Sequence, residues 1–475
     1  MYKPRQDFRS LGDAAGAPFF DVVTPASFPA SVLRYRNDAA AASVGLDNLS
    51  NDAWIAHFAR FEPLPGNIQA PLAIRYHGHQ FRAYNPDIGD GRGFLFAQVE
   101  DDRGRLLDLA TKGSGRTPYS RSGDGRLTLK GAVREVLATE MLEALGVNTS
   151  KSFSVIETGE ALERQDEPSP TRSAVLVRLG HSHVRFGAFQ RLAFEENAKA
   201  VDALCGYCID HFYPELSGIE DGGARISAFF ARIVERTAAL AAQWMAAGFV
   251  HGVLNTDNMN VTGESFDYGP WRFLPTVDFG FTAAYFDHTG LYAYGRQPDA
   301  AAWNLSRLGG ALSLVAPEDK LNDAMRTFAP TLETGMADAF ARRLGVASIG
   351  DDPKAGFENA TALLTWMQMA EAPFQQVFHD WFCGVASAHR RRNSPLRALY
   401  DGPNFTSIRS ILEAAAPDRP DRLEADYFDR PSPCDMLIDD VEAIWSKIAD
   451  ADDWGAFEAK LANIRAMKAA LDIAR

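Results

Sequence analysis

Asp257 and Asn258 stand side by side in the segment 251–258, whose sequence is HGVLNTDN. A carboxylate in this position can accept a proton from a hydroxyl group, and an amide oxygen can bind a divalent cation. A second metal ligand would have to come from a nearby acid. Asp267 follows Asn258 by 9 residues and Asp278 follows it by 20. The spacing alone does not decide between these two acids.

The same segment matches most of the catalytic-loop motif of protein kinases, H-R-D-L-x-x-x-N, in which the Asp accepts the substrate proton and the Asn binds Mg²⁺. His251, Leu254 and Asn258 are in register with the motif. Val253, however, occupies the position of the base, and a valine side chain cannot accept a proton. The sequence therefore predicts either a protein that only binds nucleotide or an enzyme in which Asp257 does the chemistry.

Glycine-rich segments upstream could hold phosphate groups. The tetrapeptide GDGR occurs twice, at 89–92 and at 123–126, and the pair flanks KGSGR at 112–116. Glycines let backbone N–H groups approach a phosphate, and an arginine adds charge-assisted hydrogen bonds. Each GDGR alone is more typical of an ordinary turn, but their position around Lys112 favours a phosphate site.

Four charged residues could complete this site. Lys112 is expected to end a strand, and Glu135 is expected on the following helix. In kinases a strand lysine contacts the nucleotide phosphates and is oriented by a glutamate of the next helix. The alternative is that Glu135 forms only a surface ion pair, but the downstream loop favours the functional interpretation. Arg178 and Arg185 could converge on the same polyphosphate.

Composition and charge exclude several classes of partner. The chain has 475 residues, 46% of them hydrophobic and 23% charged, which is enough to bury a large core. Its formal net charge of −14 disfavours nucleic acid and anionic membranes as partners. Basic clusters around 112–134 and 178–191 indicate a small anionic ligand instead. No apolar segment typical of a signal peptide or a membrane span occurs, so a cytoplasmic location is expected.

Hydrophobic patterns predict an α+β protein with a protein-kinase-like bilobal fold. A small, β-rich lobe with one key helix is expected first, and a large, mainly helical lobe is expected after it. The key helix is predicted at Lys130–Leu145, with Gly146 as its stop. The predicted strands are Phe94–Val99, Leu106–Lys112, Ser152–Glu157 and Ala174–Leu179.

Three regions follow from these patterns. Residues 1–70 are predicted to be an N-terminal extension, and 71–190 to be the small lobe with the nucleotide-binding elements. Residues 191–475 are predicted to be the helical lobe, with the catalytic loop at 251–269 and a helical tail at the C-terminal end. An apolar stripe in this lobe ends at Gly248, immediately before the catalytic loop.

Together these segments resemble the selenoprotein O family, whose members are pseudokinases that act as protein adenylyltransferases. The resemblance covers roughly residues 70–310 in order, and several of its motifs are long and specific. The matching segments are YHGHQF at 76–81, residues 87–93, KGSGRTPYSRSGDGR at 112–126, residues 178–187, HGVLNTDNMN at 251–260, FDYGP at 266–270 and YGRQPDAAAWNLSRL at 294–308.

The resemblance implies that ATP binds in a kinase-like cleft in the reverse orientation. AMP, and not the γ-phosphoryl group, is then transferred to Ser, Thr or Tyr hydroxyls of protein substrates, and pyrophosphate is released. Asp257 is then the proton acceptor, and Glu135 orients Lys112. Asn258 and Asp267 are then the ligands of Mg²⁺, or of Mn²⁺. The residues assigned to the nucleotide are Gly89, Gly91, Arg92, Lys112, Asp124, Gly125, Arg178, Arg185 and Asp267.

Three alternatives remain at this stage. The chain could be a true phosphotransferase in which Asp257 acts from a shifted position. It could be a non-catalytic nucleotide-binding module, although such a module would not need both Asn258 and Asp267. It could also transfer UMP in the presence of Mn²⁺, because no residue visibly recognises the base. Hydroxyl acceptors leave no motif in an enzyme, so the sequence does not identify the protein substrates.

Overall fold

The computed structural model describes residues 1–15, 19–165 and 167–473. It shows a mixed α/β protein in which a large antiparallel sheet is followed by many helices. The strands are β1 (Pro4–Arg5), β2 (Phe20–Val22), β3 (Val32–Arg36), β4 (Leu72–Ile74), β5 (Gly78–Gln80), β6 (Ala83–Asn85), β7 (Leu95–Glu100), β8 (Leu106–Lys112), β9 (Leu127–Thr128), β10 (Lys151–Leu162), β11 (Thr171–Gly180), β12 (Phe249–Val250) and β13 (Arg272–Phe273). The helices are α1 (Asp7–Ala15), α2 (Asp38–Ser43), α3 (Asn51–Phe58), α4 (Leu129–Ala144), α5 (Phe186–Phe194), α6 (Ala198–Phe212), α7 (Gly222–Ala247), α8 (Gln297–Leu312), α9 (Glu318–Arg326), α10 (Phe328–Arg343), α11 (Pro353–Met369), α12 (Phe374–Trp381), α13 (Ala388–Asn393), α14 (Arg397–Tyr400), α15 (Thr406–Ala414), α16 (Ile438–Ala451) and α17 (Gly455–Leu471).

The main sheet has nine strands within the described residues, and they pair antiparallel in the order β2-β4-β7-β8-β11-β10-β3, with β1 beside β7 and β9 beside β11. Its central strands β7, β8 and β11 are buried at nearly every position because both faces are covered. On β11, Leu176 packs in the same cluster as α4, whereas Val175 and Val177 pack with α3 on the opposite face. All four predicted strands are present, as β7, β8, β10 and β11, and the last two are longer than predicted.

Residues 1–70 contribute β1, β2 and β3 to this sheet and place α3 on one of its faces. Trp54 of α3 stacks on Phe153 of β10 with a centroid distance of 4.9 Å, and its indole N–H donates to Ser154 Oγ at 2.7 Å. The segment predicted to be an extension therefore contributes strands to the main sheet and side chains to the hydrophobic core on one of its faces. Its strands are only two to five residues long, which is too short for a clear alternating pattern.

Helix α4 is the helix predicted at Lys130–Leu145, shifted by one residue. Its N-cap is Thr128, whose hydroxyl accepts a hydrogen bond from the N–H of Gly131 at 3.1 Å. Beyond its C-terminal end, Gly146 has a φ of +79°, a left-handed conformation that glycine adopts without strain. Most residues of α4 are buried, because the sheet covers one side and α16 and α17 pack on the other.

Helices α16 and α17 contact each other, and both pack on α4. Lys468 of α17 pairs with Glu143 of α4 at 2.9 Å, and Asp452, between the two helices, pairs with Arg172 of β11 at 2.7 Å. Ion pairs with this exposure contribute about 0–1 kcal/mol each, so apolar contact provides most of the docking energy. The buried residues of α17 are Phe457, Leu461, Ile464, Met467, Ala470 and Leu471.

The longest helix, α7, leads directly into the predicted catalytic loop. Asp221 caps its N-terminus by accepting a hydrogen bond from the N–H of Ala224 at 2.7 Å, and Gly248 ends it with a φ of +65°. The predicted stop at Gly248 is therefore correct. Among the helices of the described residues, none has the combination of length and apolar composition that crossing a bilayer requires.

Candidate active site

A cavity of about 700 Å³ opens where the ends of β8 and β11 face the loop 255–269. All the residues that the sequence assigned to the nucleotide line this cavity, and Asp257 lines it as well. Glu135 and Asn258 lie behind the lining, and each is bonded to a residue that lines it. The lining nucleotide candidates are Gly89, Gly91, Arg92, Lys112, Asp124, Gly125, Arg178, Arg185 and Asp267.

Lys112 stands between two carboxylates in the wall of the cavity. Its Nζ is 2.7 Å from Oε2 of Glu135 on α4 and 2.8 Å from Oδ1 of Asp267. Arg178 Nη1 lies 3.4 Å from an oxygen of each of the same carboxylates. The register of the sheet explains this arrangement. Lys112 is opposite Leu176, so Arg178, two residues further along β11, points to the same face as Lys112.

Arg185 is a buried guanidinium that connects three parts of the site. Its Nη2 is 3.3 Å from Asp90 Oδ1, and its Nη1 donates to the backbone carbonyl of Asp257 at 3.0 Å. The guanidinium carbon lies 4.6 Å from the ring centroid of Tyr76 and 5.0 Å from that of Phe266. Arg185 therefore holds the backbone of the Asp257 loop against the first GDGR segment.

Asn258 and Asp267 form a pair that can bind a cation. Asn258 Nδ2 donates to Asp267 Oδ2 at 3.0 Å, while Asn258 Oδ1 is buried and has no hydrogen-bond partner among the described residues. Burial would raise the pKa of Asp267, but Lys112, Arg178 and Arg185 outweigh burial and hold that pKa well below its usual range. The site thus presents an ionised carboxylate and a free amide oxygen, which are suitable ligands for a hard divalent cation.

These two ligands do not form a complete metal cage. In the part of the chain that the structure describes, no group of three or more His, Cys, Asp or Glu side chains could hold a metal ion. Mg²⁺ commonly takes one or two protein ligands together with substrate phosphates and water, so the pair fits a cation that arrives with a nucleotide. Asp278, the alternative ligand, is exposed, accepts a hydrogen bond from Gly280 N–H at 2.8 Å and does not line the cavity.

Asp257 has the properties of a proton acceptor. It is 8% exposed, and its Oδ1 has no hydrogen-bond partner among the described residues. Burial raises the pKa of Asp257 to about 6, although the charge of Arg185 acts in the opposite direction. The loop is fixed by His251, whose Nε2 lies 3.0 Å from the carbonyl oxygen of Phe266. The carboxylate is therefore positioned and accessible from the cavity, with Oδ1 free among the described residues and the side chain of Gln80 hydrogen-bonded to the carboxylate.

The glycine-rich segments pack closely at the outer part of the cavity. A Cβ atom at Gly89 would overlap the ring of Tyr119, and Gly125 has a φ of +73°, so neither position accommodates a larger residue without strain. Asp124 pairs with Arg164 at 2.8 Å. The close packing leaves backbone groups, rather than side chains, facing the cavity at these glycines.

Several residues that line the cavity were not assigned from the sequence, and three of them contact assigned residues. Asp90 pairs with Arg185, Tyr119 packs under the first glycine segment, and Arg164 reaches the second from the loop between β10 and β11. Asp90 lies inside the first GDGR segment, where its carboxylate is a signal for an arginine partner. Arg164 carries no signal in the sequence, because a loop residue of no special pattern is placed there only by the strand pairing.

Glu264 is a buried acid outside the cavity, three residues before Asp267. Its Oε2 accepts a hydrogen bond from the backbone N–H of His181 at 2.9 Å. Burial raises the pKa of Glu264 to about 7, although this hydrogen bond and the charge of Lys151 act in the opposite direction. Keeping this side chain ionised in the folded protein therefore costs stability.

The Glu264→Gln variant is expected to gain stability relative to the wild type as the pH rises. Because the folded-state pKa is about 7 and the ordinary value is 4.5, the folded wild type binds more protons than the unfolded chain between these values and loses stability across this window. The amide does not titrate and avoids this loss. The difference in the free energy of unfolding between the variant and the wild type should therefore grow by about 2 kcal/mol from roughly pH 5.5 to 8.5. Urea unfolding at both pH values measures it.

The matched control is Glu442→Gln, because Glu442 is an exposed acid paired with Lys130. Its free energy of unfolding should differ from the wild type by the same small amount at both pH values. A constant difference for Glu264→Gln as well would contradict the raised pKa.

The comparison with known proteins agrees with a nucleotide-transferring site. The chain is 42% identical over 456 residues to the protein nucleotidyltransferase YdiU of Synechocystis sp., which covers 94% of this chain and 95% of that protein. It is 42% identical over 482 residues to the protein of the same name from Gloeobacter violaceus, with 98% and 95% covered, and 36% identical to that of Myxococcus xanthus, with 80% and 76% covered. The chain is a nucleotidyltransferase.

A family model described as protein adenylyltransferase SelO matches residues 5–465. The chain belongs to this family. The resemblance that the motifs between 70 and 310 indicated is confirmed, and it extends over the sheet strands before residue 70 and the helices after residue 310.

Proposed function

We propose that this protein transfers AMP from ATP to Ser, Thr or Tyr hydroxyl groups of other proteins. The observation that carries the proposal is Asp257, a buried carboxylate with a free oxygen in a cavity walled by lysine and arginine side chains. The description of the family as a protein adenylyltransferase supports AMP as the group transferred, and the names of the relatives support a protein acceptor. Val253, at the position of the kinase base, cannot replace Asp257.

In the proposed step, the acceptor hydroxyl oxygen attacks the α-phosphorus of ATP, and the hydroxyl proton passes to Asp257. The bond between the α-phosphorus and the oxygen that bridges to the β-phosphorus breaks. Pyrophosphate leaves with the electron pair of that bond, and AMP is joined to the acceptor through a phosphodiester. Lys112, Arg178 and Arg185 stabilise the negative charge that develops on the leaving group, because they are fixed in place before the reaction.

Asn258 and Asp267 would hold Mg²⁺, or Mn²⁺, against the phosphates. The cation supplies positive charge that neutralises the leaving group. The protein needs this supply because the three buried cations of the cavity already lie close to carboxylates. Lys112 is bonded to two carboxylates, and Arg178 and Arg185 lie near carboxylates as well. A polyphosphate without a metal would therefore bring excess negative charge into a buried site.

We propose further that the overall arrangement is the bilobal fold of protein kinases. The lysine of β8 and the glutamate of α4 form the ion pair that a kinase small lobe uses, and the loop 255–269 carries the base and the metal ligands from the helical side. On this basis the boundary between the lobes is placed near residue 190, and the strands before residue 70 belong to the small lobe.

Parallel incubations with ATP labelled at the α- or at the γ-phosphate test this function. Proteins of a cell lysate are expected to become labelled from the α-phosphate and not from the γ-phosphate, in the presence of Mg²⁺ or Mn²⁺. Labelling from the γ-phosphate alone would contradict the proposal and indicate a phosphotransferase. Bound ATP without any labelling would indicate a nucleotide-binding module. A third incubation uses UTP labelled at the α-phosphate and compares the transfer of UMP with that of AMP. Stronger labelling from UTP would show that UMP, and not AMP, is the transferred group.

A further inference from the structure

The hairpin formed by β5 and β6 turns sharply beside the cavity. Gln80 pairs with Ala83, so only Phe81 and Arg82 form the loop, and φ is +50° at the first and +65° at the second. Loops of this kind usually contain Asn-Gly or Asp-Gly, because the left-handed conformation is unfavourable for bulky side chains. Both residues are therefore strained, and backbone strain of this kind is found mostly at functional sites.

The loop that carries Asp257 holds this hairpin in place. The backbone N–H of Phe81 donates to Asn255 Oδ1 at 3.0 Å, and a threonine hydroxyl of the same loop accepts a hydrogen bond from the N–H of His79 at 2.7 Å. Gln80 lies between these two anchors and lines the cavity. Its side chain is hydrogen-bonded to the carboxylate of Asp257. The tip of the hairpin therefore lies directly outside the cavity, on the side of the proposed base.

Three exposed aromatic rings meet at this tip. The exposed fraction is 37% for Phe81, 80% for Tyr285 and 41% for Phe286. The ring centroids of Phe81 and Phe286 are 5.8 Å apart, and those of Tyr285 and Phe286 are 5.1 Å apart. Tyr292 supports Phe81 with a centroid distance of 5.1 Å, and its hydroxyl donates to Asn255 at 2.7 Å. We call Phe81, Tyr285 and Phe286 the aromatic ledge.

The ledge differs in chemistry from the cavity beside it. The cavity wall carries lysine and arginine side chains, whereas the ledge consists of aromatic rings whose one polar group is the hydroxyl of Tyr285. Arg82, the other residue of the turn, places its guanidinium over the ring of Trp303 at 5.6 Å. Exposed aromatic clusters are enriched where proteins bind other polypeptides, so this surface is suited to an apolar side chain and not to the phosphates.

We propose that the aromatic ledge binds an extended segment of the protein acceptor and selects a large apolar side chain close to the hydroxyl that is modified. The inference rests on the proposed function, because only a polypeptide acceptor continues beyond the base. The acceptor hydroxyl must reach Asp257, whose loop is continuous with the ledge through Asn255 and Gln80. The residues that flank the hydroxyl then leave the cavity past Gln80 and cross the ledge.

A positional-scanning library of synthetic peptides tests this binding surface. Each peptide carries a single central Ser, Thr or Tyr, and transfer is measured with ATP labelled at the α-phosphate. The wild type should prefer a large apolar residue at one or two positions beside the hydroxyl by at least about 10-fold over serine or lysine, which is the effect of one good apolar contact. The Tyr285→Ala/Phe286→Ala variant should lose this preference and keep its affinity for Mg·ATP.

Leu314→Ala is the matched control, because Leu314 is an exposed apolar residue with a similar exposed fraction on a different surface. It should retain the preference of the wild type. An apolar preference that persists in the Tyr285→Ala/Phe286→Ala variant would overturn the proposal, and so would labelled peptides without any preference in the wild type. Labelling of folded lysate proteins but of no peptide would overturn the proposal that the ledge binds an extended segment of the acceptor. An absence of α-labelling on every acceptor would instead refute the proposed function on which the inference rests.

Discussion

The Asp257→Asn variant is expected to bind Mg·ATP about as tightly as the wild type and to transfer AMP roughly 10³-fold more slowly. The amide has the same shape as the carboxylate but cannot accept the proton of the acceptor hydroxyl. Binding should be preserved because Arg185 contacts the backbone carbonyl of Asp257 and not its side chain. Nucleotide affinity from isothermal titration and the initial rate of α-label transfer together measure the two effects.

Asp278→Asn provides the control for this prediction. It is the same chemical change on an exposed acid of the same region, and Asp278 does not line the cavity. Its transfer rate should remain within a factor of about two of the wild type. Full activity in Asp257→Asn would show that Asp257 is not the base. A comparable loss of transfer rate in both variants would indicate that the acids in this region act through the structure.

The second large effect is expected for Lys112→Met. This change removes the cation that lies within 2.8 Å of Glu135 and Asp267, so transfer should fall by about 10²–10³-fold. The protein should also lose about 3–5 kcal/mol of stability, because the buried carboxylate of Glu135 and the partly buried carboxylate of Asp267 lose their closest positive partner. Transfer rates and urea unfolding of the same preparations give both numbers.

A double variant separates the two consequences of losing Lys112. In Lys112→Met/Glu135→Gln, one of the unpaired carboxylates becomes neutral, so much of the stability should return while transfer stays low. Lys130→Met is the matched control, since Lys130 pairs with Glu442 at the surface and this change should cost less than about 1 kcal/mol. Recovery of transfer together with stability would show that Lys112 acts only in folding.

The elements that carry the site were predictable because their signals are local. The buried strand that ends in Lys112 is rich in leucine, and α4 has an apolar face followed by Gly146. The kinase pattern of a strand lysine followed by a glutamate on the next helix linked Lys112 with Glu135, and the structure places the two side chains in contact. The helix end predicted at Gly248 was correct for the same reason, because a left-handed glycine at a helix end is a local feature.

The features that the sequence could not predict depend on contacts between distant segments. The Arg185–Asp90 pair joins residues 95 positions apart. The turn at Phe81 and Arg82 contains none of the usual turn residues, so only its anchoring by the Asp257 loop explains it. The strands before residue 70 are too short to show a period. The C-terminal tail was predicted to be helical, but a helical pattern does not reveal which surface the helix will cover.

The packing of α16 and α17 on α4 has a consequence for the newly synthesised chain. Glu135 lies on a helix whose outer side is covered by residues 438–471, which are translated more than 300 positions after it. Until those residues emerge from the ribosome and dock, the apolar outer side of α4 faces water, and the ion pair with Lys112 sits on an unsupported helix. We therefore expect the site to be complete only after α16 and α17 have docked on α4.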